Sequence, residues 1–215
     1  MTDSTSPSSL PTTERVVRVI AETAIENERY FGDLDAVVGD GDFGYSLARG
    51  FEKLLEGWDD LDRSNPGAFL KKSGMVITSR IGGTSGPIWG TGFLRAGMTA
   101  GTDEQISPQQ LVAMLRAGVE GIKTRGGADL GDKTLLDSLV PCIDALEQGF
   151  DAGKDPADVL DDAAKACRKA ADDTADLVAK RGRAAYTGER SKGSVDAGAT
   201  ALAVLAERLA TVWRS

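Results

Sequence analysis

Apolar residues recur along this chain at intervals of three and four, and almost nowhere in strict alternation. That is the spacing of amphipathic helices rather than of half-buried strands. From about Thr13 to Tyr30, Val16, Val19, Ile20 and Ala24 share one helical face. A second helix starts near Phe43 and carries Leu47, Phe51 and Leu54; a third opens at Pro66 with Phe69, Leu70, Met75 and Ile77. A fourth follows Gly86-Pro87 with Trp89, Phe93 and Leu94. Ser107-Pro108 reads as an N-cap followed by proline at the first helical position. It starts a fifth helix with Leu111, Leu115, Val119 and Ile122 on one stripe. Leu135, Leu139, Ile143 and Leu146 mark a sixth; Asp155-Pro156 caps a seventh running towards Lys180; Ala199, Leu202, Leu205, Leu209 and Val212 mark the last. The pattern predicts an all-α fold of about eight helices. Their short, glycine-rich connections favour antiparallel neighbours in an up-and-down assembly.

No shift in composition and no internal repeat divides the chain, so residues 13–215 read as a single domain behind a flexible N-terminal tail, 1–12, rich in Ser, Thr and Pro. That tail has neither the basic start nor the apolar stretch of a secretory signal. No apolar run approaches the roughly 20 residues of a membrane span. The net charge is −8, from 25 basic and 33 acidic residues, which argues against nucleic acid and anionic membrane as partners. Cys142 and Cys167 sit in Ala-rich helical patterns and read as small core residues of a cytoplasmic protein. The chain has no histidine. That removes a Ser-His-Asp triad, histidine-ligated zinc and a phosphohistidine, and leaves carboxylates, cations, hydroxyls and bound metal to do the chemistry.

The glycines cluster at 39–44, 82–92, 126–131 and 188–198, mostly just before a helix start. Helix N-termini with free N–H groups suit anions, although loops that need positive φ are the commoner reason for such clusters. The first cluster adds chemistry: Asp35, Asp40 and Asp42 lie within eight residues, the last two alternating with glycine. Three converging carboxylates repel one another unless a cation lies between them, and magnesium takes oxygen ligands that it shares with phosphates. An EF-hand fails, because Phe51 stands where its bidentate Glu belongs; a capping loop for the next helix is the alternative. Gly82-Gly83-Thr84-Ser85-Gly86-Pro87 offers N–H and hydroxyl donors before a helix. Gly131-Asp132-Lys133-Thr134 is not a Walker A loop, because Asp132 separates the Gly from the Lys. Arg183, Arg190 and Lys192 around Gly188 could neutralise a transferring phosphoryl group, or form a solvated turn.

Taken in order, Leu34-Asp35 with Gly39-Asp40-Gly41-Asp42, Gly82 to Pro87, Gly131-Asp132-Lys133-Thr134, Gly188-Glu189-Arg190-Ser191 and Asp196-Ala197-Gly198-Ala199-Thr200 resemble the nucleotide-binding L subunit (DAK2, or DhaL-type, domain) of dihydroxyacetone kinases, from about Glu14 to Arg208. The resemblance implies an eight-helix antiparallel barrel with ADP or ATP at one end. It implies two Mg2+ ions on Asp35, Asp40 and Asp42, with Phe43, Gly44 and Ser46 among the residues that bind the nucleotide. Thr84 and Ser85 would lie at the phosphates, Gly126 and Leu135 at the base, and Arg183 and Asp196-Ala197-Gly198 would complete the site. It further implies a kinase subunit whose phosphoryl group passes to a short ketose held on a separate K subunit. A phosphotransferase-system protein as donor and a homodimer are further expectations for its partners. Three departures stand out: Phe43 and Ser46 occupy the family's usual His and Asn positions, and Ala197 replaces its Pro. The rival reading is a non-catalytic, ADP-loaded sensor that binds a regulatory protein.

Overall fold

Three of the helices begin as local chemistry dictates. Asn65, Ser107 and Asp155 accept the N–H groups of Ala68, Gln110 and Ala157 at 2.8, 3.1 and 2.9 Å, each directly before a proline that starts its helix without needing an N–H partner. In the computed structural model, which describes residues 8–83 and 85–214, the helices are α1 (Leu10–Glu26), α2 (Glu28–Asp35), α3 (Phe43–Glu56), α4 (Pro66–Arg80), α5 (Ser85–Ala100), α6 (Pro108–Gly126), α7 (Leu136–Asp151), α8 (Pro156–Asp173) and α9 (Ala197–Arg214). Short 3-10 turns cover Trp58–Asp60, Thr174–Asp176 and Arg183–Ser191. No strand occurs among the described residues.

The long helices pack in chain order, α1 on α3, α3 on α4 and onward to α9, and α9 closes back on α1. The result is the expected up-and-down barrel, with the short α2 leaning on α3 and α9. Phe31, Phe51, Phe69, Leu47, Leu54 and Ile77 are fully buried in its main core. Trp58 meets Phe69 edge-on at 5.3 Å between ring centroids, a preferred aromatic geometry. The α4–α5 pair touches backbone to backbone: a Cβ at Gly74 would lie 2.8 Å from the Gly90 carbonyl oxygen, and one at Gly97 would lie 2.7 Å from that of Gly67.

Several expectations shift. The first predicted helix breaks at Asn27, whose side chain donates to the Thr23 carbonyl at 2.8 Å, and it starts at Leu10, inside the expected tail. Ser9 anchors that start, its N–H donating to Glu104 O at 2.7 Å and its hydroxyl accepting from Ile106 N at 2.9 Å. Met1–Pro7 lie outside the described residues. The buried residues of α1 are Val17, Ala21, Thr23 and Ala24; of the expected face Ala24 is among them and Ile20 packs against the core, while Val17 and Ala21 take the buried places expected of Val16 and Val19. Met75, expected on a core face, is 58% exposed. The seventh helix ends at Asp173, well short of Lys180; Asp172 and Asp173 place negative charge at a helix C-terminus, where the macrodipole disfavours it. No helix is long and apolar enough to cross a membrane, among the described residues.

Alternation of direction puts the α2–α3, α4–α5, α6–α7 and α8–α9 connections at one end of the barrel. These hold all four glycine clusters.

Candidate functional site

Asp35 closes α2 and Asp42 immediately precedes α3, so the packing of these two helices sets the distance between their carboxylates. The loop between them turns tightly. Gly39 donates its N–H to the Asp35 carbonyl at 2.6 Å, and any Cβ at Gly39 would run into the Asp35 carboxylate. Gly41 has φ of +76°, a conformation glycine adopts without a steric penalty. One Asp35 oxygen accepts the N–H of Gly41 at 2.9 Å and, at 3.4 Å, that of Phe43. Asp42, although at the N-cap of α3, makes no side-chain cap bond.

Asp35, Asp40 and Asp42 each offer a carboxylate oxygen within 4.8 Å of the others. Burial holds the Asp42 carboxyl above the usual carboxylate range; the charges of Asp40 and Asp35 add to the rise and Arg183 opposes it. Converging, mutually repelling oxygen ligands fit a hard divalent cation such as Mg2+. Arg183 reaches this cluster from far along the chain, its Nε 2.8 Å from Asp40 Oδ2. It rides on the 3-10 segment between α8 and α9.

The flanking residues fall into two groups. The Phe43 ring, half-buried, packs 6.3 Å from that of Phe31 in a tilted arrangement. Gly44 is buried where α3 touches α2, and Ser46 faces Gly82. Ser85 is the first residue of α5; Thr84 lies outside the described residues. The second group lies by the apolar cluster of α6 and α7: Gly126, the last residue of α6, borders Ile88, Ile88 and Leu135 both pack against that cluster, and Gly198 lies against Leu135. Ala197 and Gly198 form the first turn of α9, which Asp196 caps by accepting the Ala199 N–H at 2.7 Å.

The Asp196 carboxyl is pushed up to about 6 by burial, with Asp137 adding to the rise and Lys133 and the N–H groups of Ala199 and Gly198 opposing it. The folded protein therefore binds this proton more tightly than the unfolded chain. Its contribution to stability is present at low pH and lost as pH rises through that value. Asp196→Asn keeps a cap acceptor and carries no charge. It is expected to unfold at higher urea than the parent at about pH 8, with the gain gone at about pH 4. A loss of stability at the higher pH would contradict the assignment.

Sequence reasoning missed Lys133. The Gly131-Asp132-Lys133-Thr134 run is a capped turn: Asp137 accepts the N–H groups of Gly131 and Thr134 at 2.6 and 2.7 Å. Lys133 itself is buried and donates to three backbone carbonyls of the α8–α9 connection. No local signal marks it, because a lysine in a polar loop ordinarily faces solvent.

Comparison with known proteins agrees with this architecture. The model of the DAK2 domain matches residues 37–211. The ADP-binding subunit DhaL of the PEP-dependent dihydroxyacetone kinase of Escherichia coli is 36% identical over 84% of this chain and 86% of its own. That of kinase 1 of Listeria innocua is 38% identical over 86% and 87%. The L-erythrulose 1-kinase of Mycolicibacterium smegmatis is 37% identical over 90% of this chain, which spans only 34% of that longer protein. The dihydroxyacetone kinase of C. freundii, solved in complex with AMP-PNP and Mg2+, superposes with a TM-score of 0.73 at 28% identity, over 96% of this chain and 35% of its own. Ring closure, the order of the motifs and these likenesses lead to one conclusion: the chain belongs to the DAK2 domain family.

Proposed function

We propose that this chain is the nucleotide-binding, phosphoryl-donating subunit of a dihydroxyacetone-type kinase, acting in the cytoplasm on a short ketose held by a separate K subunit. The observation that carries this reading is the convergence of Asp35, Asp40 and Asp42, with Arg183 on Asp40. The E. coli relative is named as an ADP-binding subunit and the C. freundii kinase was solved with AMP-PNP and Mg2+, which supports the same ligands here. Asp35, Asp40 and Asp42 would hold two Mg2+ ions, which when bound supply the positive charge that neutralises a nucleotide's phosphates.

The chain's own residues then position and screen. The N–H groups of Gly41 and Phe43 hold the Asp35 carboxylate, so this ligand is oriented before the nucleotide arrives. Arg183, planar and always charged, is placed to meet negative charge developing on the transferring phosphoryl oxygens. Thr84, Ser85 and the N-terminus of α5 offer donors to phosphate. Gly126, beside Ile88, and Leu135, in the same apolar cluster, would flank the base. Asp196-Ala197-Gly198 holds the start of α9 against Leu135. Phosphoryl transfer asks a protein mainly for such positioning and charge. The ADP-binding relatives named as PEP- or PTS-dependent favour a phosphotransferase-system protein as the donor that recharges the nucleotide.

A chain without histidine has no imidazole to anchor a ketose covalently. Incubated with ADP or ATP, magnesium and dihydroxyacetone, it is expected to show no turnover until a K subunit and a phosphoryl donor, either ATP or a phosphorylated phosphotransferase-system protein, are both present. Robust turnover by this chain alone would refute the split-subunit reading. Tight ADP binding with no turnover in the mixture would favour the sensor.

A further inference from the structure

Between α8 and α9 the chain makes a long strap, residues 177–194, that delivers Arg183 to the aspartates and carries Tyr186, 91% exposed, at its outer side. Both ends of the strap meet at one buried cation. Lys133 Nζ donates to Leu177 O at 3.1 Å, to Ser194 O at 2.7 Å, and to Ser191 O. An ammonium has three donors, and all three are used on the strap's two ends. Lys133 is 3% exposed. Its φ of +60° makes it the one non-glycine residue with positive φ among the described residues, a conformation costly for a side chain with a Cβ. Burying an ammonium is costly as well. Both features persist only because the surroundings hold them, and what they hold is the neck of the strap. The neck has further ties: Ala179 N–H donates to Ser191 Oγ at 2.9 Å, Gly193 N–H to Ala175 O at 2.8 Å, and Lys180 N–H to Asp132 O at 3.1 Å. Asp132 also pairs with Lys180 and Arg181 at 3.2 and 3.3 Å.

We propose that Lys133 is a positioning residue for the phosphate end of the nucleotide site, closing the neck of the strap so that Arg183 reaches Asp40. The inference rests on the nucleotide reading above for its ligand, but its geometry is independent of that reading. Lys133 does not touch the aspartates in this arrangement; it acts through Arg183. A purely stabilising lysine would lower the melting temperature and leave the remaining site chemistry intact, so the decisive readout is coupling between the two residues.

The experiment is a double-mutant cycle in the full chain, using Lys133→Met, which keeps the stem and removes the charge, and Arg183→Gln. Calorimetry with Mg·ATP is expected to show about a tenfold weakening for each single variant, the size of one charge-assisted contact. The double variant should be no weaker than either single. Losses that multiply, or an unchanged affinity in Lys133→Met, would overturn the proposal. Where Lys133→Met does not fold, Ser191→Ala, which loosens the same neck, replaces it in the cycle with the same two readings. If the parent binds no nucleotide, the proposed function fails by itself, and trypsin decides the positioning role. Lys133→Met should then be cut after Arg181 and Arg183 much faster than the parent, with cleavage after Arg125 unchanged; equal rates at the strap would sink the idea.

Discussion

Asp40→Asn is expected to lose most magnesium-dependent nucleotide binding. The substitution keeps the side chain's shape and removes one of three charges whose oxygens lie within 4.8 Å of one another. It also weakens the 2.8 Å pair with Arg183. Changes that merely disturb the groups orienting a metal ligand weaken metal binding by about 10- to 100-fold; loss of a ligand charge should reach the upper end of that range or beyond. The variant should fold at least as well as the parent without metal, because the Asp42 carboxyl, now held high partly by Asp40, loses a repelling neighbour. Failure to bind can then be separated from failure to fold. In thermal unfolding, ADP with magnesium at a hundredfold excess over its dissociation constant should stabilise the parent by about 2.7 kcal/mol. The variant should show little of that shift. A shift equal to the parent's would remove Asp40 from the metal site.

Gly44→Ala is expected to cause the largest loss of stability among single-methyl additions near the site. A Cβ there would overlap the Glu28 carbonyl oxygen and crowd the Gly32 nitrogen. Both are backbone atoms of α2, with no flexible side chain to give way, so α3 must shift as a body. Overpacking of this kind costs about 1–3 kcal/mol, and this contact belongs at the top of that range. The shift would also part Asp35 from Asp42, so weaker binding of magnesium nucleotide should accompany the lower midpoint in urea. Gly57→Ala is the control: its nearest neighbour would be 3.6 Å away, and its effect should stay within about 0.5 kcal/mol. Equal midpoints for the two variants would show that the α2–α3 contact does not set the spacing.

What could be read from the sequence, and what could not, follows from how far apart the interacting residues are. Helix starts at Pro66, Pro108 and Pro156 were legible because cap and proline adjoin. The aspartate triplet was legible because all three lie within one loop, and its order relative to the later motifs carried the family resemblance that brought in Arg183. The break at Asn27 was not legible, since neither glycine nor proline marks it and the short α2 is held by packing on α3 and α9. Val17 and Ala21, rather than Val16 and Val19, are the buried residues early in α1 for a similar reason: Val16, Val17, Val19 and Ile20 are all apolar, and only the neighbouring helices choose among them. Lys133 escaped notice because its three acceptors lie 44, 58 and 61 residues downstream, beyond the reach of any local pattern. At Phe43, where the resemblance leads one to expect histidine, the apolar ring packs against Phe31, which accounts for how a phenyl ring is accommodated there.

All of this turns on whether the three carboxylates hold a cation that in turn holds a nucleotide. Three negative groups repel a diphosphate until metal bridges them, so binding of the two ligands must be coupled. The direct measurement is calorimetric titration of ADP into the unmodified chain, once with magnesium and once in EDTA. The account predicts saturable binding with magnesium and none measurable in EDTA; equal ADP affinity in the two titrations would contradict it.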